Sequence, residues 1–195
     1  MWLEGLPPGV LYAFIGVFSA VENIFPPIPA DSVVALGAFL AGRGTLDPWA
    51  VFGIGWGANV AAAASVYAVA HRYGRAFFRG RLGRKLLSEP VLARLEAEYQ
   101  RHGTYGIFLS RLLPVWRAVV PPFAGIAGLS PARALIPLTL ASGLYYGALT
   151  LLVMRLGTDL DEVVAVLGRV NRLLAVGALL LVIVAVVLVR RRMKG

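Results

Sequence analysis

Cysteine is absent from this 195-residue chain, which removes disulfides, thiolate metal sites and cysteine nucleophiles and leaves the redox compartment unread. Histidine is nearly absent: His71 and His102 are the only two, too few for zinc chemistry. Charge is scarce as well. Only 15% of residues are Asp, Glu, Lys or Arg, against about 25% in an ordinary soluble domain, and the few there are fall in blocks. With 58% hydrophobic residues and a mean hydropathy of +0.75, the chain lacks the polar surface that water requires, so it is read as an integral membrane protein. The formal charge of +9, from 19 Lys+Arg against 10 Asp+Glu, fits an anionic membrane face, and the hydropathy decides against nucleic acid as the partner.

What is present is a set of apolar runs. Residues 173–189 are uninterrupted and end on Arg190, Arg191, Arg192 and Lys194, just long enough for a hydrocarbon core of about 30 Å. Residues 48–70 and 134–154 also hold no charge and predict transmembrane helices. Residues 5–21 open on Pro7-Pro8, lack a basic start and run into Glu22, which predicts a retained helix, not a signal peptide. Two further stretches are broken. Residues 24–44 carry Pro26, Pro27, Pro29 and Asp31, and residues 105–129 carry Arg111, Pro114, Arg117, Pro121 and Pro122. Free backbone and charge at that depth survive only inside protein or against a watery cavity, so both are expected to be re-entrant hairpins.

Charge parity gives a topology. Arg72, Arg75, Arg79, Arg81, Arg84, Lys85, Arg94 and Arg101 form one basic block and the tail another; both are expected on the cytoplasmic side. Two spans lie between them, so residues 105–129 must return to their own side.

Shifting the chain by 83 residues matches Ala41 with Ala124, Gly42 with Gly125, Leu46 with Leu129, Pro48 with Pro131, Ala58 with Ala141, Arg72 with Arg155 and Gly74 with Gly157 without a gap. Asp47-Pro48 and Ser130-Pro131 each read as an N-cap followed by proline at the first helical position. The expected fold is therefore an all-α polytopic membrane protein: an inverted repeat of re-entrant hairpin plus transmembrane helix, with N- and C-terminal flanking helices. It forms one domain over residues 1–195, with repeat one at 22–74, a cytoplasmic basic loop and surface helix at 72–103, repeat two at 105–157 and a last transmembrane helix at 171–190. The prolines named above, with Gly42 and Gly125, are expected to break the hairpins.

The residues of the two broken stretches carry a resemblance. Glu22-Asn-Ile-Phe-Pro-Pro-Ile-Pro-Ala-Asp31, then Leu36-Gly-Ala-Phe-Leu-Ala-Gly42, resembles the first signature of the DedA family, also called the SNARE-associated or VTT-domain family. Ser110-Arg-Leu-Leu-Pro-Val-Trp-Arg117, then Pro121-Pro-Phe-Ala-Gly125, resembles the second, in which two arginines six apart flank a proline. Many members place a glycine and a carboxylate after the last proline of the first signature; Ala30-Asp31 stands there here. The resemblance implies two facing re-entrant hairpins, location in the bacterial inner membrane, and transport of undecaprenyl phosphate between leaflets, tied in several members to the proton motive force. Eukaryotic relatives scramble phospholipids.

The residues themselves permit the same chemistry. Guanidinium grips phosphate bidentately while staying charged, so Arg111 and Arg117 are candidate phosphate ligands. Glu22 and Asp31 are either static counter-ions to them or desolvated carboxylates that take up a proton. Asn59, midway along the first long span, reads as an interhelical hydrogen bonder, and Trp2, Trp49 and Tyr73 as interfacial anchors.

The function expected is thus movement of a lipid phosphate across the membrane, without metal or cofactor. A proton-coupled carrier of a small ion or osmolyte and a general phospholipid scramblase are the alternatives. An integral lipid phosphatase would need a histidine nucleophile and a second histidine, and none follows His102, so no enzymatic activity is expected. Monomer and homo-oligomer stay equally open.

Overall fold

The structure, a computed structural model, describes residues 6–25, 30–79, 97, 100, 101, 103–109, 111, 117, 120–156, 165, 168 and 169. Every regular element among them is a helix. We label α1 (Pro8–Val21), α2 (Ala30–Gly42), α3 (Pro48–Arg79), α4 (Val120–Ile126) and α5 (Pro131–Leu156); residues 103–109 are helical too. The expected last span at 171–190, most of the surface helix, and Pro26, Pro27, Pro29 and Pro114 lie outside the described residues.

Both long helices start where the sequence predicts. Pro48 and Pro131 each occupy the first helical position, and the Asp47 carboxylate accepts from the Ala50 N–H at 2.7 Å, an N-cap. Two stretches are long and apolar enough to cross a bilayer, Pro48–Gly74 and Pro131–Arg155. Helix α1, with 14 residues, reaches only about 21 Å at 1.5 Å per residue and does not span alone.

Side chains are distributed inside out relative to a soluble protein. Phe14, Val17, Val69, Ile136, Leu140, Leu144 and Leu152 are exposed, while Glu22, Asn23, Asp31, Asn59, Arg111 and Arg117 are buried. Ile136, Leu140 and Leu144 recur every four residues and so form one outward apolar stripe on α5. Such a surface is stable where hydrocarbon is the solvent, and the molecule is a membrane protein.

The first broken stretch differs from the expectation in its extent. Residues 24–44 contain one limb, α2, and that limb packs against α1: a Cβ on Gly37 would lie 2.6 Å from Ile15 Cδ1. Helices α1 and α2 therefore pair, and a 13-residue helix has no room to go in and return by itself.

Helices α2 and α4 end alike. Gly44 has φ 77° and Gly128 φ 66°, the left-handed conformation that glycine adopts freely. Gly44 N–H donates to Ala41 O and Thr45 N–H to Leu40 O; Gly128 N–H donates to Gly125 O and Leu129 N–H to Ala124 O. Both are Schellman caps. They are related by a shift of 84, from 44 to 128, one more than the shift relating Pro48 to Pro131, so the gapless match is corrected by one extra residue in the first connection. Gly42 is the last residue of α2 and Gly125 the last but one of α4, and Pro121 and Pro122 lie in the first turn of α4, where proline is tolerated.

The two glycines permit close approach. A Cβ on Gly42 would meet Met154 O at 3.0 Å, and one on Gly125 would meet Tyr67 O at 2.6 Å and His71 N at 2.8 Å. Helix α2 thus packs on α5 and α4 on α3, and the partners Met154 and His71 are themselves 83 residues apart. Helices α3 and α5 are antiparallel: Phe52 faces Gly147, and Trp56 faces Gly143 and donates to Thr139 O. A first prediction follows from these contacts. Gly125→Ala should lower stability by about 1–3 kcal/mol through overpacking against α3 backbone, whereas Gly53→Ala, with nothing within 4 Å of the added carbon, should not; thermal unfolding of the two variants in detergent checks this.

Candidate functional site

The break after α1, the start of α2 and the turn that holds Arg117 converge on the middle of α3 and α5. The α1 backbone turns through Glu22 to Phe25 on short-range hydrogen bonds to Phe18, Ala20 and Val21 carbonyls, which turns Glu22 and Asn23 inward. Asp31 lies in the first turn of α2. Polar side chains on five chain segments thereby meet in an interior that is otherwise aliphatic.

Arg117, 4% exposed, is bound by both carboxylates. Its Nη2 pairs with Glu22 Oε1 and, at 2.5 Å, with Asp31 Oδ2. Two adjacent tyrosines of α5 complete this half. Tyr145 donates to Asp31 Oδ2 at 2.9 Å and lies under the guanidinium, 4.9 Å from ring centre to Cζ, a cation–π contact. Tyr146 donates to Glu22 Oε2 at 3.4 Å.

Arg111 is buried more completely, at 2% exposure, and has different company. Its Nη1 donates to Asn23 Oδ1 at 3.3 Å and Asn59 Oδ1 at 3.4 Å, and its Nη2 also reaches Asn23 Oδ1 at 3.4 Å. The amides are anchored behind. Asn59 Nδ2 donates to Ser19 O at 3.2 Å, and Asn23 Nδ2 donates to Ser19 O at 3.3 Å and Asn59 O at 3.2 Å. Among the described residues no carboxylate pairs with Arg111. Arg111 Nε, Arg117 Nε, Arg117 Nη1 and Asp31 Oδ1 are buried without a hydrogen-bond partner among the described residues.

All four charged residues singled out in the sequence thus share one cluster, although 80 residues of chain separate Asp31 from Arg111. Asn59 makes the interhelical bond expected of it and also touches Arg111. Sequence reasoning missed Asn23, Tyr145 and Tyr146. A signal existed for the tyrosines: membrane tyrosines concentrate at the interfaces, and these two stand in the middle of a span. His71 stacks on Tyr67, with ring centres 5.5 Å apart, away from the cluster, and His102 lies outside the described residues.

All the elements that build this cluster, except the end of α1 with Glu22 and Asn23, fall within one family pattern. A VTT-domain model matches residues 28–155. The chain belongs to the VTT-domain family, the DedA family. This VTT-domain protein is 29% identical over 119 residues to an uncharacterized membrane protein of Mycobacterium leprae, a match covering 58% of this chain and 51% of that protein. It is 27% identical to an uncharacterized membrane protein of Mycobacterium tuberculosis, covering 63% and 58% respectively. The matched part therefore spans about half the length of these relatives. A protein of Lactococcus lactis named alkaline phosphatase-like is 25% identical over 85% of this chain and 79% of its own length. No solved structure matches the chain.

Proposed function

We propose that this VTT-domain protein moves a lipid phosphate monoester, undecaprenyl phosphate in the reading favoured by the family resemblance, between the leaflets of the bacterial inner membrane. The observation that carries the reading is the set of spare donors: Arg111 Nε, Arg117 Nε and Arg117 Nη1 are buried and have no acceptor among the described residues. Guanidinium nitrogens without acceptors are costly in a low-dielectric interior, and the ligand that removes the cost is an oxyanion. A phosphate presents acceptor oxygens to both arginines at once, while its hydrocarbon tail stays in lipid.

Proton coupling is read onto the two buried carboxylates, Glu22 and Asp31, both of which pair with Arg117. The two-fold exchange of contacts, α2 on α5 and α4 on α3, with α3 and α5 antiparallel, supports the inverted repeat and hence alternating access. In this arrangement the chain is one membrane domain, with the basic block 72–101 and the C-terminus cytoplasmic.

A phosphatase reading, raised by the name of the Lactococcus relatives, gains nothing from this cluster: among the described residues no three His, Asp or Glu side chains stand where they could hold a metal ion. The carrier of a small ion would leave the arginine donors unexplained.

The test is translocation of undecaprenyl phosphate in proteoliposomes, with and without a pH gradient, by wild type and Arg117→Lys. Lysine keeps a charge for Glu22 and Asp31 but loses the planar fork, so transport should fall about tenfold or more while the melting temperature is retained. Absence of lipid phosphate transport by folded wild type would falsify the proposal.

A further inference from the structure

The two arginines are held so differently that they cannot be equal partners for the phosphate. Arg117 is already compensated by two carboxylates. Arg111 carries its charge against the oxygens of Asn23 and Asn59, which are neutral. We infer that Asn59 and Asn23 are the specificity-determining residues of the site: they hold Arg111 in place without neutralising it, and so make Arg111 the seat of a phosphate monoester. This rests on the lipid phosphate reading above and assigns the anion to one half of the cluster.

The argument is one of electrostatics and anchorage. A buried guanidinium is normally accompanied by a carboxylate, and here two amides occupy the positions a carboxylate would take. An amide oxygen accepts one or two hydrogen bonds yet contributes no charge, so these amides position the arginine without closing an ion pair on it. Rigidity comes from behind, because both amide nitrogens are held by Ser19 O and Asn23 also by Asn59 O. The Asn oxygens are therefore directed at Arg111 by α1 and α3 together. Asn59 is 1% exposed, so no water competes for that orientation. Arg111 Nε, without a partner, is the donor left for the incoming oxyanion.

The same geometry explains how an anion can bind without breaking an ion pair. A phosphate that had to displace Glu22 or Asp31 from Arg117 would meet two like charges. At Arg111 it meets a guanidinium whose hydrogen-bond partners are neutral amides, with Nε free of a partner among the described residues.

The experiment compares wild type, Asn59→Asp and Asn59→Leu in lipid nanodiscs, reading the binding of a fluorescent short-chain polyprenyl phosphate and its competition by inorganic phosphate, together with thermal unfolding. Asn59→Asp places a carboxylate on Arg111. It should hold or raise the melting temperature by closing an ion pair, yet weaken phosphate binding about thirtyfold or more. Asn59→Leu removes the acceptor but adds no charge, and should weaken binding only a few-fold. A merely structural role for Asn59 predicts the reverse order, with leucine the more damaging. Asn59→Asp binding like wild type, or leucine losing as much as aspartate, overturns the assignment while leaving the lipid phosphate reading intact. No binding of the polyprenyl phosphate by wild type overturns both. Competition by inorganic phosphate at similar affinity makes a free anion the ligand of the seat, and its failure to compete makes the seat specific for the lipid headgroup; the amide seat stands in either case if aspartate abolishes binding.

Discussion

Arg117→Ala is expected to destabilise the protein by about 3–5 kcal/mol, the cost of leaving buried charges without their partner. Glu22 and Asp31 are each 5% exposed, and both are paired with the one guanidinium. Removing it strands two anions side by side in an aliphatic interior, where their repulsion adds to their desolvation. Tyr145 and Tyr146 donate one hydrogen bond to each carboxylate and cannot supply a charge. A loss of this size is a large fraction of a typical total stability of about 5–15 kcal/mol. Tryptophan-monitored unfolding in detergent should show it as a strongly lowered melting temperature or as aggregation on extraction.

The rescue is what makes the result informative. Combining Arg117→Met with Glu22→Gln and Asp31→Asn removes all three charges at similar volume, and buried ion pairs replaced in this way are often neutral or stabilising. The triple variant should therefore melt close to wild type while failing to transport. If Arg117→Ala alone melts like wild type, the three residues do not form a closed ionic unit in the folded protein. If the triple variant transports, the unit is only structural.

The legible part of this architecture follows from the solvent. In hydrocarbon, charge and proline inside an apolar run are so costly that Glu22, Asp31, Arg111 and Arg117 announce a buried polar centre from sequence alone. The long helices α3 and α5 are legible for the same reason, and their starts because Asp-Pro and Ser-Pro have a local meaning that needs no tertiary context. What was not legible is pairing. Nothing in residues 8–21 says that this helix packs against α2; the signal is the fit of Ile15 onto Gly37, visible only after the chain turns. Gly42 and Gly125 are ambiguous in sequence because glycine serves both to end an element and as a site of close approach, and only the backbone opposite shows the second use. Likewise two arginines six residues apart look alike in sequence. Their division into one paired with carboxylates and one bonded to amides depends on Asn23, which adjoins Glu22, and on Asn59, about a third of the way along α3.

That division predicts opposite behaviour for the second arginine. Arg111→Met should leave the fold standing and abolish transport. Loss of the guanidinium deprives Asn23 Oδ1 and Asn59 Oδ1 of their donor, a penalty of about 1–3 kcal/mol for an unsatisfied neutral group. Against this, a buried cation with no carboxylate beside it among the described residues disappears, which recovers desolvation energy. The two effects oppose each other, and methionine fills the volume of the arginine stem. The melting temperature should therefore move by only a few degrees, since 1 kcal/mol corresponds to about 2–4 °C in a chain of this size. Transport of the lipid phosphate should fall about a hundredfold or more, the effect of losing about 3 kcal/mol of charge-assisted binding. Parallel melting curves and proteoliposome assays on Arg111→Met and Arg117→Ala decide the matter. If Arg111→Met collapses as Arg117→Ala does, Arg111 has an anionic partner of its own in the resting protein and is not waiting for a phosphate; if it folds and still transports, the phosphate is held elsewhere.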